Sequence, residues 1–220
     1  TFSNTCISTH GNFFTIKFMK IVSISENQNV EKRISITPEI AKKYISLGFE
    51  VILSENYGIH LGFSDQEYTS LGVNILNNHE EILKNGDIIL QVNILSDENL
   101  KSLKEKQTLI GVLNPYSNKN KIDNLKNQKV NSFSLELLPR ITRAQSMDVL
   151  SSQANLAGYK AVIEAFANFE KAIPMMMTAA GTVPAAKVLI VGAGVAGLQA
   201  IATAKRTVSY THLTLPTIRL

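Results

Sequence analysis

Gly192, Gly194 and Gly197 stand in G-x-G-x-x-G spacing, between the apolar run Val188 to Val191 and the Ala-rich stretch Leu198 to Ala204. Each glycine has its own use in that pattern. The first allows a tight turn, the second lets backbone approach a pyrophosphate, and the third allows close helix-on-strand packing. The run before them predicts a short strand buried on both faces of a parallel sheet, and the stretch after them a helix. Free N–H groups and the positive dipole end of such a helix suit a phosphate. Strand, turn and helix in that order favour a dinucleotide site over a glycine-rich turn without a ligand. One part of the fingerprint is absent: an acid about 20 residues on would hold the ribose, and no Asp or Glu follows Glu170.

A second chemical stretch is Pro139-Arg140-Ile141-Thr142-Arg143-Ala144-Gln145-Ser146-Met147-Asp148. It reads as a loop dense in donors and acceptors, directly after a strand end. Ligands in open α/β sheets bind beyond the carboxyl ends of strands, so chemistry is expected there. The other reading is a solvated linker with incidental ion pairs such as Arg140 with Asp148.

These groups must be positioned by a βα rhythm that begins at Met19. Strands are predicted at 20–24, 49–53, 73–76, 87–92, 109–113 and 130–135. Helices are predicted from Thr37-Pro38 to the closing Gly48, from the capping box Ser64-Asp65-Gln66-Glu67 to Leu71, over 96–104 and over 118–127. His60 and His79 fall in predicted loops as surface residues. A longer helix from Ser151 to about Phe169, with Leu156, Tyr159, Val162, Ile163 and Phe166 at helical spacing, is long enough to bridge two domains. Met175 to Met177 reads as adaptable packing rather than a metal site, and Thr178 to Thr182 as a small-residue turn. Alternating strands and helices imply an α/β fold with a parallel sheet.

Composition narrows the function. The chain has 220 residues and a net charge of +4 without a dense basic cluster, which argues against nucleic-acid binding. Four scattered His and one Cys (Cys6) supply neither a zinc site nor a disulfide framework. No apolar run reaches the roughly 18 residues of a membrane span. Residues 1–18 read as a non-native or unstructured extension, with Met19 as the start. Residues 207–220, Thr-rich and free of acids, read as a non-native tail resembling translated adapter sequence.

Met19 to Arg206 closely resembles the N-terminal, NAD(H)-binding part of the alpha subunit of proton-translocating NAD(P) transhydrogenase, a relative of alanine dehydrogenase. The residues that carry the resemblance are Glu31-x-Arg33-Ile34-Ser35-Ile36-Thr37-Pro38, Gly62-Phe63-Ser64-Asp65, Pro139 to Ser152, Gln153-Ala154-Asn155-Leu156-Ala157-Gly158-Tyr159, Thr178 to Thr182, and Gly192 to Gly197. The Arg-Ala-Gln-Ser-Met-Asp run discriminates far better than the glycines. Alanine dehydrogenases carry a Lys in the segment here read Leu90 to Asn93 and a catalytic His where this chain has Leu113-Asn114-Pro115. Asn93 and Asn114 lack that acid/base chemistry and favour transhydrogenase.

The resemblance implies a Rossmann-like parallel-sheet domain over 19–148. A bridging helix and the first strand and helix of a truncated NAD-binding Rossmann domain would follow over 149–206. It implies direct hydride transfer from NADH bound here to NADP+ on a partner domain or subunit, coupled in the full complex to proton translocation. Arg140, Gln145 and Asp148 would be catalytic. Arg140, Thr142, Gln145, Asp148 and Ser151 would surround the nicotinamide end, and Gly192, Ala193, Gly194, Val195 and Gly197 the pyrophosphate. A homodimer, a beta subunit with a membrane domain, and a peripheral place on the cytoplasmic face of a bacterial inner membrane would follow. The alternatives are an alanine-type amino-acid dehydrogenase and a non-catalytic NAD(H)-binding fragment.

Overall fold

Six short segments pair side by side in the computed structural model, which describes residues 8–9, 12–13 and 18–207. They are β3 (Lys20–Ser23), β4 (Glu50–Ser54), β5 (Asn74–Leu76), β6 (Ile88–Asn93), β7 (Thr108–Val112) and β8 (Asn131–Ser134). Before them, β1 (Ser8–Thr9) and β2 (Asn12–Phe13) form a small antiparallel ladder, so structure is present within the stretch expected to be an unstructured extension. The remaining residues of 1–17, and the expected tail beyond Thr207, lie outside the described residues.

All pairings in the six-stranded sheet are parallel, in the order β5-β4-β3-β6-β7-β8. Strand order therefore reverses between β3 and β6. The register sets Val22 beside both Ile52 and Ile89. Alternate residues supply two cores: Val22, Ile52 and Ile89 belong to one, Ile21, Val51 and Leu53 to the other. Burial on both faces is what a parallel sheet with helical crossovers requires. Those crossovers are α1 (Pro38–Ser46), α2 (Asp65–Ser70), α3 (His79–Asn85), α4 (Asp97–Lys101) and α5 (Lys119–Asn127).

Local chemistry accounts for the helix ends. Pro38 opens α1 after an extended Thr37, and Gly48 at φ +89° closes it. The Ser64 side chain accepts the Glu67 N–H at 3.3 Å. α3 falls where only a loop was expected. Asn78 caps it by accepting the Glu80 and Glu81 N–H groups, and Lys84 pairs with Glu80 one turn on. That Asn cap followed by acids and an i, i+4 cation was a readable helix signal. His79 is therefore a helical residue, and partial burial pushes its imidazole pKa down.

The chain divides into two units, one ending at Leu137 and one starting at Leu138. The second holds a 3-10 helix (Thr142–Met147), α6 (Val149–Ala167), the hairpin strands β9 (Met176–Thr178) and β10 (Gly181–Val183), and α7 (Val195–Thr207). Its small core joins Val162, Ala200 and Ala204 with Phe166, Val188 and Ile190.

Four expectations change in this unit. Val188 to Val191 forms no ladder and is not buried on both faces. Val188 and Ile190 face the core, whereas Leu189 and Val191 are 70% and 75% exposed, because no described strand lies beside the run. Met175 to Met177 are exposed rather than packed, since β9 pairs only with β10. Along α6, Leu156, Tyr159 and Ile163 are exposed, and burial is confined to the Gly158 and Val162 side. The expected loop between Pro139 and Asp148 is largely a 3-10 helix with Ala144 turned inward.

Candidate functional site

Gly192 adopts φ +106°, a left-handed conformation that a side chain would strain, and so makes the turn for which its type was singled out. The first backbone bond of α7 runs from the Leu198 N–H to the Gly194 carbonyl at 2.9 Å. The N–H groups of Val195, Ala196 and Gly197 are therefore left without an intrahelical acceptor. A methyl group on Gly194 would meet nothing within 4 Å, so the space in front of the turn is open. A methyl on Gly197 would lie 2.0 Å from the Gly192 carbonyl oxygen. The third glycine thus lets the helix sit on its own turn, rather than on a strand.

Residues 192–195 are exposed, and free N–H groups, an open second glycine and a helix dipole converge there. This cradle fits a dinucleotide pyrophosphate. A ribose-binding acid is absent from the sequence after Glu170.

The second cluster lies at the start of α6. Asp148 caps this helix: its carboxylate accepts the Ser151 backbone N–H at 2.9 Å and the Ser151 hydroxyl at 2.7 Å. Those two bonds, with a smaller contribution from the Arg140 charge, hold the carboxyl below its usual pKa. Among the described residues Arg140 forms no ion pair with Asp148, so the incidental pairing allowed by sequence is not what engages that acid. Arg140, Thr142 and Gln145 are exposed, their side chains directed to solvent. The Gln145 carbonyl accepts the Asp148 N–H at 3.2 Å, which joins the 3-10 helix to the cap.

One glycine that the site reading did not single out joins the two helices that carry these clusters. A methyl on buried Gly158 would lie 2.1 Å from the Ala196 carbonyl oxygen, so α6 crosses the first turn of α7 in backbone contact. Ser151 lies seven residues before that crossing, about 10 Å along the helix axis. The run Ala157-Gly158-Tyr159 carried the signal, as a small residue inside an otherwise regular helix.

In the first unit the motif from Glu31 to Pro38 is an anchoring device. Glu31 grips Arg33 through the guanidinium (2.6 and 2.8 Å) and the Arg33 N–H (2.9 Å). The Ser35 hydroxyl donates to the Leu90 carbonyl at 3.0 Å and lies 2.9 Å from the Tyr57 hydroxyl. Asn93 donates to Glu31 at 3.4 Å, and the Asn114 backbone N–H donates to Glu136. Asn93 and Asn114 thus lie at the carboxyl edge with polar, uncharged side chains. The His60 Nε2–H donates one bond, to the Lys32 carbonyl oxygen at 2.8 Å.

The profile described as "Alanine dehydrogenase/PNT, N-terminal domain" matches residues 23–157, and "Alanine dehydrogenase/PNT, C-terminal domain" matches 161–213. A Rickettsia prowazekii protein, the first of the pieces that make up its NAD(P) transhydrogenase subunit alpha, is 46% identical over 192 residues, 86% of this chain and 50% of the relative. The crystal structure of transhydrogenase from Sinorhizobium meliloti superposes with a TM-score of 0.82 at 45% identity, over 88% of this chain and 58% of that one. An L-alanine dehydrogenase superposes at 0.73 with 20% identity, over 86% of this chain and 52% of that one, a likeness of fold alone. The chain spans about half the length of the curated relative it matches. Matched in turn by both domain profiles, and far more similar in sequence to the transhydrogenases, the chain belongs to the alanine dehydrogenase/PNT family, on its transhydrogenase side.

Proposed function

We propose that this chain is the NAD(H)-binding part of a transhydrogenase that passes hydride from NADH to NADP+ held by a partner domain or subunit. In the whole complex that transfer would be coupled to proton translocation. The observation that carries the proposal is the crossing of α6, the helix that the Asp148–Ser151 cap starts, over the first turn of α7 at Gly158 and Ala196. When bound, NAD(H) supplies the hydride-carrying nicotinamide; the chain supplies binding and orientation.

Backbone N–H groups around Ala193, Gly194 and Val195 would hold the pyrophosphate, with Gly192 and Gly197 shaping the turn. Ser151 and Asp148, locked to each other, would fix one side of the nicotinamide end. Arg140 and Thr142 offer donors and an acceptor toward the carboxamide. Gln145, exposed on the 3-10 helix, would reach toward the partner nucleotide. No proton need be abstracted from carbon or nitrogen in such a transfer, which suits the uncharged Asn93 and Asn114. An alanine-type dehydrogenase would instead need a cation and an imidazole at that edge.

Homodimerisation, a beta subunit with a membrane domain, and a peripheral position on the cytoplasmic face of a bacterial inner membrane belong to the same proposal. No helix of the described residues is long and apolar enough to cross a membrane. The test is Gln145→Asn in the complete enzyme, with NADH affinity and stopped-flow hydride transfer measured separately. Slowed transfer at unchanged affinity supports the assignment. Weakened binding in proportion, or pyruvate-dependent amination by the wild type, contradicts it.

A further inference from the structure

We propose that the amino edge of the six-stranded sheet docks onto an anionic lipid surface, where the lysines that the fold gathers at that edge meet headgroup phosphates. Because all pairings in the sheet are parallel, the strands share one amino edge, and the helices that return between them end there too. Lysines far apart in sequence thereby enter one row. Lys84, Lys101 and Lys126 lie in the last turns of α3, α4 and α5, and Lys104, Lys106 and Lys129 in the turns that lead into β7 and β8. All of them are exposed. The edge lies within the unit ending at Leu137, so the proposal stands apart from the nucleotide reading.

Backbone and amide bonds hold the row in place. The Lys106 N–H donates to the Lys129 carbonyl at 3.1 Å. Buried Gln107 accepts the Lys104 N–H at 2.5 Å, and its amide donates to the Leu83 and Gly86 carbonyls at 2.7 and 2.5 Å. One side chain thus ties the turn before β7 to the end of α3 and sets Lys104 and Lys106 beside Lys84. With Lys20 they line a cavity of about 370 Å³.

The unmatched charge at this edge is positive. Glu50 pairs with Lys20 at 3.6 Å, Glu105 pairs with Lys129 at 3.5 Å, and Asp87 accepts the Lys20 backbone N–H at 2.9 Å. Among the described residues Lys101, Lys104, Lys106 and Lys126 enter no ion pair. Complementing a helix dipole accounts for the lysines in last turns. It does not account for Lys104 and Lys106, and Lys106 stands at φ +70°, where Asn or Gly would be less strained. The opposite edge is acidic, with Asp65, Glu80 and Asp97 in the first turns of α2, α3 and α4. An anionic surface therefore attracts one edge and repels the other.

The side chains beside the row favour lipid over nucleic acid. Leu47, 72% exposed, ends α1 before β4, and Phe18 and Met19, each 50% exposed, precede β3. A methyl on Gly48 would lie 3.9 Å from the Phe18 ring, so these apolar groups form one patch along the same edge. Apolar side chains flanked by lysines enter the boundary between headgroups and acyl chains. The row holds no arginine, the side chain best suited to forked bonds with nucleic-acid phosphates and bases.

The test is titration of the full 220-residue chain with vesicles of phosphatidylcholine alone, vesicles of phosphatidylcholine and phosphatidylglycerol in equal parts, and a single-stranded oligonucleotide. Co-sedimentation reads the vesicles and fluorescence anisotropy the oligonucleotide. The expected result is saturable binding to the mixed vesicles alone, lost at high salt as screening shortens the reach of the charges. Lys104→Gln with Lys106→Gln should weaken it roughly 25-fold, since each lysine near an anionic surface contributes about fivefold. Lys32→Gln with Lys119→Gln removes the same charge from the opposite edge and should bind within about twofold of wild type. Leu47→Ser should weaken binding severalfold, and melting curves check the fold of each variant. No binding to mixed vesicles, equal binding to phosphatidylcholine, equal weakening by the opposite-edge substitutions, unchanged binding in Leu47→Ser, or tighter binding to the oligonucleotide would overturn the proposal.

Discussion

Asp148 holds Ser151 with both carboxylate oxygens, Oδ1 on the backbone N–H at 2.9 Å and Oδ2 on the hydroxyl at 2.7 Å. One acid therefore ends the 3-10 helix, starts α6 and fixes a hydroxyl on its first turn. Its folded carboxyl pKa is depressed, so the stability it contributes is present above the unfolded value of about 3.9 and fades as pH falls through the folded value. Asp148→Ala should lower the melting temperature at pH 7, and this deficit against wild type should shrink in melts below about pH 4. Ser151→Ala keeps the N–H bond and should cost less.

Gly194 and Gly197 separate binding from folding. A methyl on Gly194 meets open space, whereas one on Gly197 would lie 2.0 Å from the Gly192 carbonyl. Gly194→Ala should melt within about 0.5 kcal/mol of wild type and lose NADH affinity. Gly197→Ala should destabilise the start of α7 by roughly 1–3 kcal/mol. Calorimetry with NADH, alongside melts of the apo chain, distinguishes the two. An unchanged NADH affinity in Gly194→Ala would remove the pyrophosphate from this turn.

The sheet was legible because its central strands are rich in Ile, Val and Leu and flanked by polar turns, and α1 and α2 because Pro38, Gly48 and Ser64 are strong local signals. α3 was overlooked although Asn78 and Glu80 marked it. Local pattern also misled at Val188 to Val191, where an apolar run has only one covered face. Burial depends on neighbours far in sequence, which periodicity does not encode. At the site, the glycine spacing gave the turn. Gly158 marked a close approach to α6 but not its partner, since a single glycine in a helix does not say what approaches it.

The Arg33 guanidinium holds the Glu31 carboxyl down to about 2, through two parallel bonds and a third from the Arg33 N–H. With the folded pKa depressed, the pair supports the fold fully above about pH 4.5 and loses that support as pH falls toward about 2. Glu26 has the opposite sign. Its raised pKa means that the strain of a buried charge is relieved as acid protonates it. Glu31→Gln should therefore lower stability at pH 7 by up to about 1 kcal/mol, since Arg33 is half exposed. It should also flatten the acid limb of a stability curve measured by urea unfolding between pH 2 and 6. An acid limb identical to wild type would assign no stabilising role to the pair.

Gly86 is required by space rather than by conformation: its φ of −79° and ψ of 144° suit any residue. A methyl there would lie 2.4 and 2.8 Å from the two γ-carbons of Val22. Val22 is fully buried between Ile52 and Ile89 and, being β-branched, has little rotamer freedom with which to yield. The backbone cannot easily retreat either. The Gly86 carbonyl accepts the Gln107 side-chain amide at 2.5 Å, and the next N–H, of Asp87, donates to the Lys20 carbonyl at 2.9 Å. Gly86→Ala should thus cost about 1–3 kcal/mol, read as a lower urea midpoint at unchanged slope. Val22→Ala leaves a cavity and is destabilising alone, yet it removes the two atoms that the methyl added by Gly86→Ala would strike. The double variant should therefore be more stable than the sum of the single losses predicts. Strict additivity would mean that the chain relieves the contact elsewhere, and that Val22 does not set the demand for glycine before β6.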